Sequence, residues 1–276
     1  MGFKITLAGD QGSGKSTVAK LLISALGAEY FSTGSYARAC ATRLGMDIEN
    51  FNKYSEAHPE IDYEIDGSLV KLNDDPRDLI VDSRMAWHFV KGGFNVFLFT
   101  DPREAARRIF GDHRATENYP TLEAAVVGIR ARRDSEIRRY RDLYRVNIKD
   151  PENYSLLVDT TYATPEQVAE VILSSFRLWQ KDPAFRARYI CPARLLYPDD
   201  AADAGKVERY SAQIERGETL PPVSVYALET DYYLGEGAEV ALAAAMYDLP
   251  HVAFDILPGV PAEVRHYIRM EDLHSC

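Results

Sequence analysis

Over roughly the first 180 residues, short apolar runs alternate with stretches whose apolar residues recur at helical spacing. Phe3-Lys4-Ile5-Thr6-Leu7-Ala8 reads as a strand, and residues 18 to 26 then repeat apolar positions as a helix does. Ala28-Glu29-Tyr30-Phe31 predicts a second strand, followed by a turn and a helix start at Ser32. Leu79-Ile80-Val81-Asp82-Ser83-Arg84 is an apolar strand that ends in charge. Phe94-Asn95-Val96-Phe97-Leu98-Phe99-Thr100 and Leu156-Leu157-Val158-Asp159-Thr160 read as buried strands. Helices are expected over 103 to 110, 122 to 145 and from Thr164-Pro165-Glu166 to about Trp179. Residues 45 to 75 read as short polar helices broken at Pro59, with Asp47, Glu49, Glu60, Asp62, Glu64 and Asp66 on a solvated face. A polar break with His113, Arg114 and Pro120 separates the two arginine-bearing helices.

This alternation predicts an α/β fold of three layers around a mainly parallel sheet, with a helical lid. The pattern changes at Lys181-Asp182-Pro183. Beyond it, Tyr189 to Pro198 reads as a strand and turn, Leu220 to Tyr226 as a strand and Tyr232 to Gly237 as a strand into a turn, with helices over 206 to 216 and 238 to 246 and then the segment His251 to Ile256. The expected organisation is a domain of residues 1–180 and a small α+β domain of residues 181–276.

The first strand runs into Gly9-Asp10-Gln11-Gly12-Ser13-Gly14-Lys15-Ser16-Thr17, which has the P-loop spacing and the strand, loop, helix context that spacing requires. Glycines at Gly9, Gly12 and Gly14 let backbone N–H groups, with that of Ser13, turn inward on a phosphate chain, and the following helix adds its positive end. Lys15 then reaches the β- and γ-phosphates of ATP, the Ser16 hydroxyl ligates magnesium, and Thr17 lies beside the nucleotide.

Other candidates lie where an open parallel sheet binds its ligands, at the carboxyl ends of strands. Ser32-Thr33-Gly34 with Arg38 one turn on makes a second anion site, or else a plain helix cap. Arg84 is a candidate anion ligand, and Asp82 either completes a magnesium shell or caps the strand. Eleven arginines fall between 103 and 145, of which Arg132 and Arg139 share a helix face with Glu136. A P-loop lysine, magnesium and arginines on a mobile lid suffice for phosphoryl transfer. No Asn-Lys-x-Asp run is present to read guanine, which counts against a GTPase switch.

Composition narrows the class. The net charge is −10, and residues 181–276 hold 16 acidic against 9 basic side chains, which argues against nucleic acid or an anionic membrane as partner. No apolar run is long enough for a membrane span, and the chain opens directly on a strand, so the expected location is cytoplasmic. Cys40, Cys191 and Cys276 lack metal-ligand or disulfide spacing and read as buried small residues and a free thiol.

Residues 1 to about 177 resemble the cytidylate kinases, most closely the short archaeal type. The resemblance rests on Gly9 to Thr17, Ser32-Thr33-Gly34 through Arg38, Phe51-Asn52-Lys53-Tyr54, Pro59-Glu60-Ile61-Asp62, Glu64-Ile65-Asp66, Ser83-Arg84-Met85-Ala86-Trp87, and Arg132 with Ser135-Glu136 and Arg139-Tyr140. It implies phosphorylation of CMP or dCMP by ATP with Mg2+. The residues matching Arg38 and Arg84 would bind the acceptor phosphate, and those matching Arg132 and Arg139 would close over the transferring group. Glu136 would stand near the acceptor sugar, and Arg108 would pack on adenine. Ser83 replaces the usual glycine before Arg84, and no residue here matches the cytosine readers of bacterial homologues. The alternatives are a kinase for another nucleoside monophosphate or small metabolite, or a nucleotide-responsive regulator.

Residues 188 to about 258 resemble the ParB and sulfiredoxin-like fold more weakly. Glu236-Gly237-Ala238-Glu239-Val240 stands where that family has a basic box, and Glu239 would repel an anion. The resemblance thus implies a non-catalytic domain, used to pack on the kinase, to form a homodimer or to hold a protein partner, with a cytidine-nucleotide sensor as the remaining reading.

Overall fold

The computed structural model describes residues 2–46, 50–51, 54–55, 57–111, 119–198, 202–261 and 267–269. Of the residues singled out above, Asp47, Glu49, Asn52, Lys53, His113, Arg114 and Cys276 lie outside that set. The chain divides into two compact units, 1–157 with 169–186, and 158–168 with 187–276.

The first unit is built on parallel strands. β1 (Lys4–Gly9) is buried along its whole length and lies between β3 (Leu79–Asp82) and β4 (Phe94–Phe99), with Ile5 level with Ile80 and Phe94. β2 (Glu29–Ser32) pairs outside β3, with Ser32 level with Asp82. Leu156 and Leu157 of β5 (Leu156–Asp159) lie beside β4. Parallel pairing brings Gly9, Ser32 and Asp82 to one edge, the carboxyl edge on which such sheets place ligands. Lys4 interrupts the apolar run of β1 without penalty, because its ammonium donates to the carbonyls of Gly2, Asp75 and Arg77 at 3.4, 2.9 and 2.6 Å.

The helices of this unit are α1 (Lys15–Leu26), α2 (Thr33–Arg43), α3 (Pro59–Val70), α4 (Ala86–Phe89), α5 (Pro102–Gly111), α6 (Leu122–Tyr144) and α7 (Pro165–Lys181). Each start has a local cause. Ser32 accepts a hydrogen bond from Ser35 N at the head of α2, Thr121 from Ala124 N at the head of α6, and Pro59 opens α3. Thr164 and Gln167 exchange reciprocal bonds of 2.8 and 3.3 Å, a capping box for α7. From Ala169 onward α7 belongs to this unit, and its Phe176 and Trp179 pack on Phe94 with ring centroids 5.6 Å away in each case.

α3 corrects the reading of residues 45 to 75. Glu60 and Glu64 are exposed as expected, but Asp62 and Asp66 are only 6% and 5% exposed and share a buried face with Leu69. Positions 62, 66 and 69 follow the helical repeat, so the stripe that faces inward carries two carboxylates ahead of its leucine.

The second unit is α+β. β6 (Ala187–Ile190) pairs antiparallel with β10 (Val252–Leu257), which runs parallel to β8 (Val223–Leu228). β8 turns into β9 (Asp231–Glu236) through Glu229, whose φ of 54° suits a tight hairpin. β7 (Leu196–Pro198) lies parallel to β9 and antiparallel to β11 (Tyr267–Arg269). α8 (Ala204–Glu215) is capped by Asp203, and the alanine-rich α9 (Ala238–Met246) buries Val240, Ala241, Ala243 and Ala244. A buried ion pair anchors this unit: Asp159, with no exposure, accepts from Arg194 Nη1 at 3.0 Å. Asp159 also accepts from the backbone N–H groups of Thr161 and Cys191. Cys40 and Cys191 are both free and buried.

Candidate functional site

The loop between β1 and α1 has the backbone its glycines permit. Gly9, Gly12 and Gly14 adopt φ of 150°, 75° and 79°. A Cβ on Gly9 would lie 2.2 Å from Leu98 O, and one on Gly12 would lie 2.9 Å from three atoms of Ala105, so both are held against neighbouring backbone. Over Gly14 there is open space, with no atom within 4 Å of where its Cβ would stand. Gly14 caps α1 in the left-handed conformation without a side-chain bond, which leaves the helix N-terminus available to an anion.

Lys15 curls back over this loop. Its Nζ donates to Gly9 O at 3.0 Å, Asp10 O at 2.6 Å and Ser13 Oγ at 3.4 Å. Burial lowers its pKa to about 8, helped by the charge of Arg84 and opposed by Asp82, Asp10 and Glu136. Arg84 follows β3 and meets Glu136 of α6 at 2.6 Å, and both charges act on Lys15 of the loop. Asp10 is itself held by Lys149, whose ammonium also lies 4.6 Å from the centre of the Phe97 ring. Ser16 and Thr17 are exposed in the first turn of α1. Arg108, on α5, donates to Gly12 O at 3.3 Å and to Glu104 at 3.1 Å, so it lies against the outer wall of the same loop.

Across the sheet edge, Asp82 accepts from Tyr30 OH at 2.8 Å, and burial with this carboxylate pushes the Tyr30 hydroxyl up to about 12. Ser32, Thr33, Gly34 and Arg38 form the head of α2, with Ser32 and Thr33 half-buried and Gly34 and Arg38 exposed, and Arg38 donates to Ser35 Oγ at 3.0 Å. Arg38 is not drawn into an ion pair with the groups described next.

Glu136 organises the charged core of the site. It pairs with Arg84 at 2.6 Å and with Arg132 at 3.1 Å. Burial would raise its pKa, but Arg84, Arg132 and Arg139 together hold it below the usual carboxylate range. Arg139 lies nearest Asp62, with Nε 3.8 Å from Oδ2, and packs on the Tyr140 ring at 5.2 Å. Asp66 accepts from Tyr144 OH at 2.8 Å; burial raises its pKa to about 6.

The helical spacing therefore brings Arg132 and Glu136 together as a pair, and β3 supplies Arg84 as their third member. The structure adds Lys149, Tyr30, Asp62, Asp66 and Tyr144. Only the stripe at 62, 66 and 69 had a signal in the sequence, a helical repeat that charge had disguised.

Among the described residues no group of three or more His, Cys, Asp or Glu could enclose a metal ion. Mg2+ in phosphate-transfer sites keeps several waters and is bound by one or two protein oxygens with substrate phosphates. Exposed Ser16 and the Asp82 carboxylate, with one oxygen bonded to Tyr30, supply such a donor set.

A family model described as an AAA domain matches residues 5–123. Cytidylate kinase from Thermoplasma volcanium is 35% identical over 175 residues, which cover 62% of this chain and 90% of that protein. Cytidylate kinase from Archaeoglobus fulgidus is 33% identical over 173 residues, with 62% and 93% covered. An S-adenosylmethionine-dependent nucleotide dehydratase from Lacinutrix mariniflava is 34% identical over 175 residues, 63% of this chain and 36% of that protein.

Proposed function

The chain belongs to the cytidylate kinase family, and on that premise we propose that it transfers the γ-phosphoryl group of ATP to CMP or dCMP. The observation that carries this reading is the charge array around one point: Lys15 at the loop, Arg84 at the end of β3, and Arg132 with Glu136 on α6, joined at 2.6 and 3.1 Å.

In this reading the N–H groups of Gly12, Ser13 and Gly14 cradle the phosphates of ATP at the head of α1, with Gly9 making room for the loop. Lys15 exchanges its carbonyl partners for β- and γ-phosphate oxygens. Ser16 and Asp82 would hold magnesium, which when bound would supply neutralisation of charge on the phosphates. Thr17 and Arg108 flank the nucleoside of ATP. Arg84, with Arg38 and the hydroxyls of Ser32 and Thr33 beside Gly34, grips the acceptor phosphate. Arg132 and Arg139 approach the transferring group as the lid closes, and Glu136 is released to the acceptor sugar. No general base is needed, because an acceptor phosphate oxygen is already an ionised nucleophile. Catalysis is then positioning and charge neutralisation.

The test is ADP release from Mg-ATP against CMP, dCMP, UMP, AMP and GMP, with Lys15→Ala as control. Rapid turnover confined to CMP and dCMP, and lost in the variant, is expected. Turnover that ignores the acceptor overturns the reading.

The unit containing residues 187–276 is read as a non-catalytic module for a homodimer or protein partner. In support, Glu239 stands in the first turn of α9, where an anion would bind, and its carboxylate is paired with Lys206 at 3.2 Å.

A further inference from the structure

The α3 carboxylates are a part of the charged site that the proposed phosphate chemistry leaves unused. Asp62 Oδ2 is buried with no hydrogen-bond partner among the described residues, and so is Arg139 Nε, the cation it faces. Their separation of 3.8 Å is too long for a hydrogen bond, and the Asp62 side chain retains only 8% of its exposure. Oδ2 and Nε thus face each other without a hydrogen bond between them, although Arg139 as a whole is a quarter exposed and its Nη2 donates to Tyr140 OH at 3.5 Å. Asp66, one turn on, is by contrast fixed by Tyr144 OH at 2.8 Å. Burial opposes the charge on Asp62, and Arg139 favours it. Arg139 in turn follows Glu136 by one helical turn on α6, and Glu136 holds Arg84 at 2.6 Å. The unsatisfied carboxylate is therefore linked, through Arg139 and Glu136, to the arginine proposed to grip the acceptor.

We infer that Asp62, backed by Asp66, reads the acceptor base by accepting a hydrogen bond from the exocyclic amino group of an aminopyrimidine. This rests on the kinase reading above and gives it a base preference. An ionised carboxylate is acceptor-only, so the cytosine amino group completes it, whereas uracil turns a carbonyl oxygen toward the same position and leaves both groups unpaired. Sites built in this way reject the wrong partner because buried polar groups stay unsatisfied. Arg139 acts here as a positioning residue whose charge favours the carboxylate form of Asp62 against the effect of burial.

The experiment measures kcat/KM for CMP, dCMP and UMP, and KM for ATP, in the full chain and in Asp62→Asn. An amide can offer either an oxygen or an N–H group to the base. The expected result is a fall of about 10- to 100-fold for CMP and dCMP, the size of one lost charge-assisted bond. UMP should be unchanged or improved, with KM for ATP unaltered. Equal losses for CMP and UMP would overturn the inference and leave Asp62 as a simple latch for Arg139. Should Asp62→Asn not fold, Asp66→Asn is expected to move the CMP to UMP ratio in the same direction by a smaller factor, and an unmoved ratio there would count equally against it. The two readings fail separately. A wild-type chain that phosphorylates no nucleoside monophosphate removes the kinase proposal, while turnover with an unchanged ratio in the variants removes only base reading by Asp62.

Discussion

Gly12→Ala and Gly14→Ala, two residues apart in one loop, should fail in different ways. Both positions have φ near +75°, at 75° and 79°, so an alanine in either carries left-handed backbone strain of roughly 1–2 kcal/mol. They differ in surroundings. A Cβ on Gly12 would lie 2.9 Å from Cα, Cβ and O of Ala105, backbone included, whereas one on Gly14 would meet nothing within 4 Å. Carbon atoms pack at about 3.5–4.0 Å, so the loop or α5 must yield by more than about half an ångström. Such overpacking costs roughly 1–3 kcal/mol, and the reduced freedom of the unfolded alanine chain returns roughly 0.4–1. The net expectation is about 2–4 kcal/mol for Gly12→Ala and under about 2 for Gly14→Ala. The assay is urea unfolding followed by tryptophan fluorescence. Both tryptophans, Trp87 and Trp179, belong to the unit that contains the loop. With a slope of roughly 2 kcal/mol per molar urea, the Gly12 midpoint should fall by about 1–2 M, and the Gly14 midpoint by less. Binding should follow the reverse order. The proposed reading sets the phosphate chain in the open space over Gly14, so Gly14→Ala should raise KM for ATP strongly while it loses less stability than Gly12→Ala. Equal midpoints for the two variants would refute the close contact with α5, and an unchanged KM in Gly14→Ala would refute the placement of the phosphates.

Two further outcomes follow from charges the fold has buried. Lys15, with its pKa lowered to about 8, is a cation at pH 7 and neutral above pH 8 in the nucleotide-free protein. ATP binding must then be accompanied by uptake of a proton from solvent, so KM for ATP should rise by up to tenfold per pH unit above about pH 8, and a flat profile to pH 9.5 would contradict this. Arg194→Met strands the Asp159 carboxylate, which has no exposure, and should destabilise its unit by roughly 3–5 kcal/mol; Asp159→Leu in the same chain should recover most of the loss. Hydrogen exchange across residues 187–198 reads this directly, and protection unchanged in Arg194→Met would dismiss the ion pair as an anchor.

The legible parts of this chain are those whose cause is local. The P-loop is recognisable because its chemistry is backbone chemistry, and glycine spacing states where the backbone must turn. The strands and helices followed from apolar periodicity: the strand expected over Leu79 to Arg84 is β3, which stops at Asp82 and leaves Arg84 in the turn beyond, and the helical repeat puts Arg132 and Glu136 on one face of α6. Partner choice was not legible. Asp62 and Asp66 look like solvent-facing carboxylates in a polar segment, and only the packing of α3 makes them inward-facing.

By itself, then, the order of residues determined a phosphate-binding strand, loop and helix, the alternation that makes a parallel sheet, and the arginine-bearing α6. These depend on contacts within a few positions of each other, where φ, ψ and side-chain period decide the result. Tertiary structure alone decided that Lys149 braces Asp10 from 139 residues away, that Arg84 meets Glu136, and that Asp62 faces Arg139 across an unfilled gap. A charge has no periodicity that names its partner. Its energy depends on burial and on distance, and both exist only once distant elements have packed.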